Sequence, residues 1–214
     1  RVPTFEKASD EEESKSIIFA FGNNASGQLG LGHADDPITV IQAQSSGLAS
    51  STTNDGESTG GMEAQSLLPV LPLGRQLRAS QTVRQVFCGY SHSFLLTSSD
   101  EVFSFGRNSK GQLGLGNTAD QMVAQRVHLL CGMRVIALAG GMEHSLALTQ
   151  NKEVYSFGGN FHGQLGLGHV TPKEQTPQRV PSLCGRGVLA LACGRNHSIV
   201  RTADNQLLAF GDNR

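Results

Sequence analysis

The sequence predicts an all-β fold made of stacked propeller blades, and three observations carry that prediction. The hexapeptide Gly-Gln-Leu-Gly-Leu-Gly stands at residues 27–32, 111–116 and 163–168. Each copy follows a Phe-Gly pair, and from the second pair onward (Phe105-Gly106, Phe157-Gly158, Phe210-Gly211) the spacing is 52 and then 53 residues. Between these landmarks the chain shows short alternating apolar stretches and no long helical period. A fixed period of this length marks an array of units that bury their faces only against one another. Four strands in roughly fifty residues is the content of one blade.

In chain order, residues 1–16 contain Asp10-Glu11-Glu12-Glu13 and read as an acidic disordered linker, with Ser9 a candidate site for an acid-directed kinase. Repeat 1 covers residues 17–100. Its Phe21-Gly22 pair precedes Phe105-Gly106 by 84 residues, so the repeat carries an insertion of about 32 residues. The insertion centres on residues 44–66, which are rich in Ser, Thr, Gly and acidic residues, lack aromatics, and read as a disordered loop. Repeat 2 covers 101–152 and repeat 3 covers 153–205. Residues 206–214 open a truncated fourth repeat.

Within the repeats, 101–105, 153–157 and 206–210 alternate large apolar residues with small or polar ones, a pattern that a strand sends to one face. Further strands are expected at 134–139 and 188–192, and at 145–149 and 198–202. Ser99-Asp100, Asn151-Lys152 and Asp204-Asn205 suit the hairpin ends that join them. The glycine hexapeptide has Gly at three of every six positions, as a sharply turning backbone requires. Its leucines are expected to pin that loop into the core between neighbouring blades.

A second landmark keeps the same beat: Cys88-Gly89-Tyr90-Ser91-His92-Ser93, Gly140-Gly141-Met142-Glu143-His144-Ser145 and Cys193-Gly194-Arg195-Asn196-His197-Ser198. A catalytic His-Ser combination is needed once, whereas this one recurs, so it reads as a buried hydrogen-bonding device with no catalytic residue. Cys131 and Cys184 occupy equivalent places, as do Cys88 and Cys193, and Ala79 or Gly140 takes the same places in other repeats. Such positions select small size. No Cys-x-x-Cys pair is present, so neither a metal nor a cofactor is expected, and reduced thiols fit a cytoplasmic or nuclear protein. Gly-x-x-Gly-x-Gly reverses the dinucleotide spacing, and no Gly-Lys-Ser/Thr follows it.

Phe-Gly-x-Asn, Gly-Gln-Leu-Gly-Leu-Gly, Val-x-x-Leu-x-Gly and Cys-Gly-x-x-His-Ser, in that order and at that period, resemble the repeat of the regulator of chromosome condensation family. The resemblance covers residues 17–214 apart from the insertion. It implies a β-propeller whose full ring holds seven repeats, of which this chain carries about three blades plus the first strand of a fourth. The partial ring is read as a fragment of a longer protein. The resemblance also implies the family's functions as alternatives: protein–protein interaction, guanine-nucleotide exchange on a small GTPase, and substrate binding for a ubiquitin ligase.

Function is expected where the repeats differ, because their constant positions serve the scaffold. The variable positions include Asn23, Ala25 and Ser26 in the first copy. The candidate partner-binding residues are Arg107, Lys110, Phe161, His162, Tyr90, Met142, Glu143 and Arg195, of types enriched at protein interfaces. A formal net charge of −1 with 16% charged residues encodes no attraction to nucleic acid, and no apolar run is long enough for a membrane span. The chain has no tryptophan, which a light-sensing propeller of the plant type would require.

Overall fold

Hydrogen bonding between neighbouring chain segments resolves this period into antiparallel sheets stacked face to face. The computed structural model describes residues 82–214 and the backbone of two short strands, β1 (Ile18–Ala20) and β2 (Ile41–Ala43). The acidic segment 1–16, the first glycine hexapeptide with Asn23, Ala25 and Ser26, Ala79 and the insertion at 44–66 lie outside the described residues.

Sheet one is β3 (Val83–Cys88), β4 (His92–Thr97), β5 (Val102–Gly106) and β6 (Gln121–Arg126), each paired with the next. Sheet two repeats it with β7 (Val135–Gly140), β8 (His144–Thr149), β9 (Val154–Asn160) and β10 (Thr171–Arg179). Sheet three has β11 (Val188–Cys193), β12 (His197–Thr202) and β13 (Leu207–Gly211). β1 and β2 pair with Phe19 opposite Gln42, the counterpart of Phe103 opposite Arg126 in β5 and β6, so they are the third and fourth strands of a preceding unit.

The sequence repeat and the sheet are out of phase by two strands. A unit starting at Glu101 gives β5 and β6 to sheet one and β7 and β8 to sheet two. β13, which follows the same sequence landmark as β5 and β9, is correspondingly the third strand of sheet three. Each repeat therefore ties two sheets together covalently. The connecting segments carry 3-10 turns at His128–Leu130 and Pro181–Leu183, whose Leu130 and Leu183 are buried between the sheets.

Hairpin ends fall where the polar pairs stand, with Asp100, Lys152 and Asn205 at φ of 58°, 65° and 62°. Thr97, Thr149 and Thr202 brace these turns, each Oγ1 accepting the backbone N–H of Glu101, Glu153 or Gln206. The alternation in β5 suggests a single buried face, but all of β5 is buried, as are β4 and β8. Sheet two lies between sheets one and three, which covers both faces of β8. Phe94, Leu96 and Val102 of sheet one meet Val135, Leu138, Ala147 and Phe157 of sheet two. Leu146, Leu148 and Val154 of sheet two meet Val188 and Val200 of sheet three in the same way. Phe94 and Phe157 pack edge to face, 6.0 Å between ring centroids, across the first junction. Each such side chain contributes about 1.5–3 kcal/mol by leaving water.

Candidate functional site

The repeated motifs build the junctions between sheets. His92 Nε2 lies 2.8 Å from Ser145 Oγ, and His144 Nε2 lies 2.9 Å from Ser198 Oγ. The hydroxyls of Ser145 and Ser198 donate to the carbonyls of Gln112 and Gln164, each at 2.8 Å. A hydroxyl has one hydrogen, so each serine must accept from the imidazole, and Nε2 carries the proton. The bond joins the histidine of one sheet to the serine of the next, not to the serine beside it in sequence. Burial holds the His92 imidazole at a pKa of about 3, with His144 a further cause, and burial holds His144 at about 4. Both rings are neutral near pH 7 and cannot serve as general bases of ordinary strength.

Glycine precedes each histidine by three residues because the ring folds back over it. A Cβ built on Gly89 would sit 2.3 Å from His92 Cε1, and one on Gly141 would sit 2.2 Å from His144 Cε1 and 2.7 Å from the Gly194 carbonyl. The hexapeptide glycines take φ of 72–80° at Gly111, Gly114 and Gly116 and 67–81° at Gly163, Gly166 and Gly168. A Cβ on Gly114 would press on the Phe157 ring of the next sheet at 3.0 Å. Leu113 and Leu165 are fully buried, anchoring each loop between sheets. Asn108 organises its loop: its Oδ1 accepts from Leu113 N, while its Nδ2 donates to the carbonyls of Asn117 and Ala119.

With these positions occupied by the scaffold, the eight candidate residues all fall at one end of the sheets. The backbone bonds Arg107 N to Ser91 O and Gly159 N to Glu143 O place each loop after β5 and β9 against the turn that opens β4 and β8. Tyr90, Met142 and Arg195 occupy successive turns, linked by Tyr90 N to Gly141 O and Met142 N to Arg195 O. They line an open groove of about 520 Å³ with Cys88 and Cys193. Tyr90 is 74% exposed, and Arg195 Nε lies 3.2 Å from Met142 Sδ.

The loop residues form a second row. Lys110 Nζ stands 5.1 Å from the centroid of the Phe161 ring, which is 54% exposed. His162 Nδ1 lies 3.6 Å from Asp212 Oδ2. Arg107 donates through Nε to Ser109, and Glu143 sits beside Gly159 and Lys110. The sequence reading does not single out Cys88, Cys193 and Asp212 for this surface. Cys88 and Cys193 differ from Gly140 at one repeat position, a variation attributed there to size alone. Burial raises the Cys193 thiol to about 12, which leaves it unreactive as a nucleophile. All four cysteines are free. Among the described residues, no three His, Cys, Asp or Glu side chains are grouped to hold a metal, and no helix is long and apolar enough to cross a membrane.

The fold and site define a class: an all-β propeller arc whose repeated His, Ser and Gly residues join its sheets and whose variable loops share one end. The chain belongs to the regulator of chromosome condensation (RCC1) repeat family, whose models match residues 99–148 and 152–201 and, in a second form, 83–112 and 135–164. It is 33% identical over 221 residues to the ultraviolet-B receptor UVR8 of Arabidopsis thaliana, covering 92% of this chain and 50% of the relative. It is 32% identical over 211 residues to the protein RCC2 homolog of Xenopus laevis, covering 99% of this chain and 39% of that protein. A match to the probable E3 ubiquitin-protein ligase HERC6 of Homo sapiens is 41% identical over 133 residues, covering 61% of this chain and 13% of the ligase. The chain thus spans half or less of the length of these relatives. Human WBSCR16 superposes with a TM-score of 0.65 at 25% identity, over 90% of this chain and 42% of its own. Prp20p of Saccharomyces cerevisiae gives 0.64 at 20% identity, over 91% and 41%, which shows a shared fold.

Proposed function

We propose that this chain is a non-catalytic protein-interaction propeller, part of a larger regulatory protein of the cytoplasm or nucleus, which meets protein partners through its loop end. One observation carries the reading: the side chains that vary between repeats gather at a single end, while the recurring residues are consumed by the junctions. Exposed Tyr90 and Phe161 offer apolar contact area, and Arg107, Lys110 and Arg195 add cations around them, the composition of an interface centre. The test is affinity capture from cells with the wild type and with a variant changing Arg107, Lys110, Phe161 and Arg195 together to alanine. Partners lost from a variant that melts at the wild-type temperature support the reading, and an unchanged partner set refutes it.

A second reading follows from the matches to ligases. The propeller recruits substrates for a ubiquitin ligase, as a module attached to catalytic machinery elsewhere in the protein. Ubiquitylation of the captured partners that depends on the same four residues supports it. Guanine-nucleotide exchange would need a surface that binds a small GTPase better without nucleotide than with it. Nucleotide release from a panel of small GTPases distinguishes that activity from the interaction role.

A further inference from the structure

Cations at the two ends of the sheets are treated differently. At the hairpin end Arg84 pairs with Asp100, Arg126 with Glu101 and Arg179 with Glu153. At the loop end Arg107, Lys110 and Arg195 have no ion-pair partner among the described residues. The carboxylates there are already engaged. Asp120 Oδ1 accepts from Asn108 N, Glu174 accepts from Thr171 Oγ1, and Asp212 lies against His162 and accepts from Arg214 N. Glu143 is the exception, flanking Gly159 together with Lys110. The three cations stand at places that other repeats fill differently: Gly159 and Asp212 correspond to Arg107, His162 to Lys110, and Tyr90 and Met142 to Arg195. The scaffold therefore does not need them.

Two of the cations are braced. Arg195 donates through Nε to Met142 Sδ and Arg107 through Nε to Ser109 Oγ, each at 3.2 Å. These contacts hold each side chain and leave its Nη groups for a carboxylate, which a guanidinium grips through two parallel bonds. Lys110 is drawn over the Phe161 ring, which orders it without neutralising its charge. The groove of about 520 Å³ among Tyr90, Met142 and Arg195 adjoins this row, because Glu143 follows Met142 and touches the Gly159 turn.

We propose that this end receives an acidic segment of a partner protein, in which Asp or Glu residues flank an apolar side chain. The apolar side chain enters the groove beside Tyr90 and Met142, and the carboxylates take the free Nη groups of Arg195 and Arg107. This partner chemistry presupposes the interaction role proposed above. Glu143 marks the place on the path where an acidic residue is refused. A second copy of the chain fits poorly, since this end set against itself offers Glu143 as its one unengaged carboxylate among the described residues. Nucleic acid also fits poorly, because its evenly spaced phosphates would meet Glu143 and Asp212 between the cations.

The test is selection of random displayed peptides on the chain, followed by fluorescence anisotropy of the winners against wild type and variants that melt at the wild-type temperature. Winners with Asp or Glu on either side of an apolar residue are expected, and a selection that enriches no acidic sequence overturns the proposal. Arg107→Gln and Arg195→Gln are each expected to weaken binding about 10-fold, with little recovery in Arg195→Lys, which keeps the charge and loses the fork. Glu143→Gln is expected to tighten binding about 3-fold by removing a repelling charge. Winners that need Tyr90 and Phe161 but bind the double variant Arg107→Gln/Arg195→Gln as tightly as the wild type leave the interaction surface standing and overturn its acidic ligand. Winners indifferent to all four substitutions overturn the surface itself. If changing Asp10, Glu11, Glu12 and Glu13 to serine raises affinity about 10-fold or more, the chain's own acidic segment is the occupant and the separate partner is overturned.

Discussion

Acidification should loosen this stack well above the range in which carboxylates titrate, because two of its junctions depend on neutral imidazoles. In the folded chain His92 and His144 resist protonation down to about pH 3 and 4, while in the unfolded chain both titrate at their ordinary value of 6.5. Between these limits the unfolded state binds two protons that the folded state does not, so stability falls with falling pH by about 1.4 kcal/mol per histidine per unit. From pH 7 to 5 the two together remove about 4 kcal/mol. That is a large share of the roughly 5–15 kcal/mol that holds an ordinary domain together. The geometry explains why the folded state cannot take up the proton. Nε2 already carries one for the serine, and Nδ1 is buried without a hydrogen-bond partner among the described residues, so a second proton would place an unmatched charged donor over Gly89 or Gly141. Urea unfolding at half-unit steps from pH 7.5 to 5 should show this slope, with most Asp and Glu still ionised. A stability constant from pH 7 to 5 would refute the neutral-imidazole account.

Two substitutions examine the same junctions at neutral pH. Gly141→Ala drives a methyl into the His144 ring and the Gly194 carbonyl, so it should cost about 3 kcal/mol or more, whereas Gly132→Ala, at φ 80° with open space around it, should cost only about 1–2 kcal/mol in backbone strain. Thermal melts of the pair separate crowding from conformation. Ser145→Ala removes at once the acceptor of His92 and the donor to Gln112 O, leaving two buried polar groups unmet, and denaturant titration should show a loss of about 2–4 kcal/mol. Ser145→Cys should recover little of it, since a thiol is a weak donor and acceptor.

The parts of this fold legible in the sequence are those that each repeat states within its own length. Strands, hairpin ends and the glycine loop depend on neighbours a few residues away, and the chain spells that local chemistry out in successive copies. The phase between repeat and sheet is not local. Nothing in the order of motifs says whether β6 hydrogen-bonds to β5 or stands beside β7, because both arrangements preserve a fifty-residue beat. The histidine bond is hidden for the same reason. His92-Ser93 invites a pairing within the dipeptide, yet successive residues of a strand point to opposite faces, so the acceptor must come from another segment, and stacking supplies Ser145. The candidate surface is legible as a set of variable residues, but its unity at one end depends on β4, β8 and β12 all starting where β5, β9 and β13 finish.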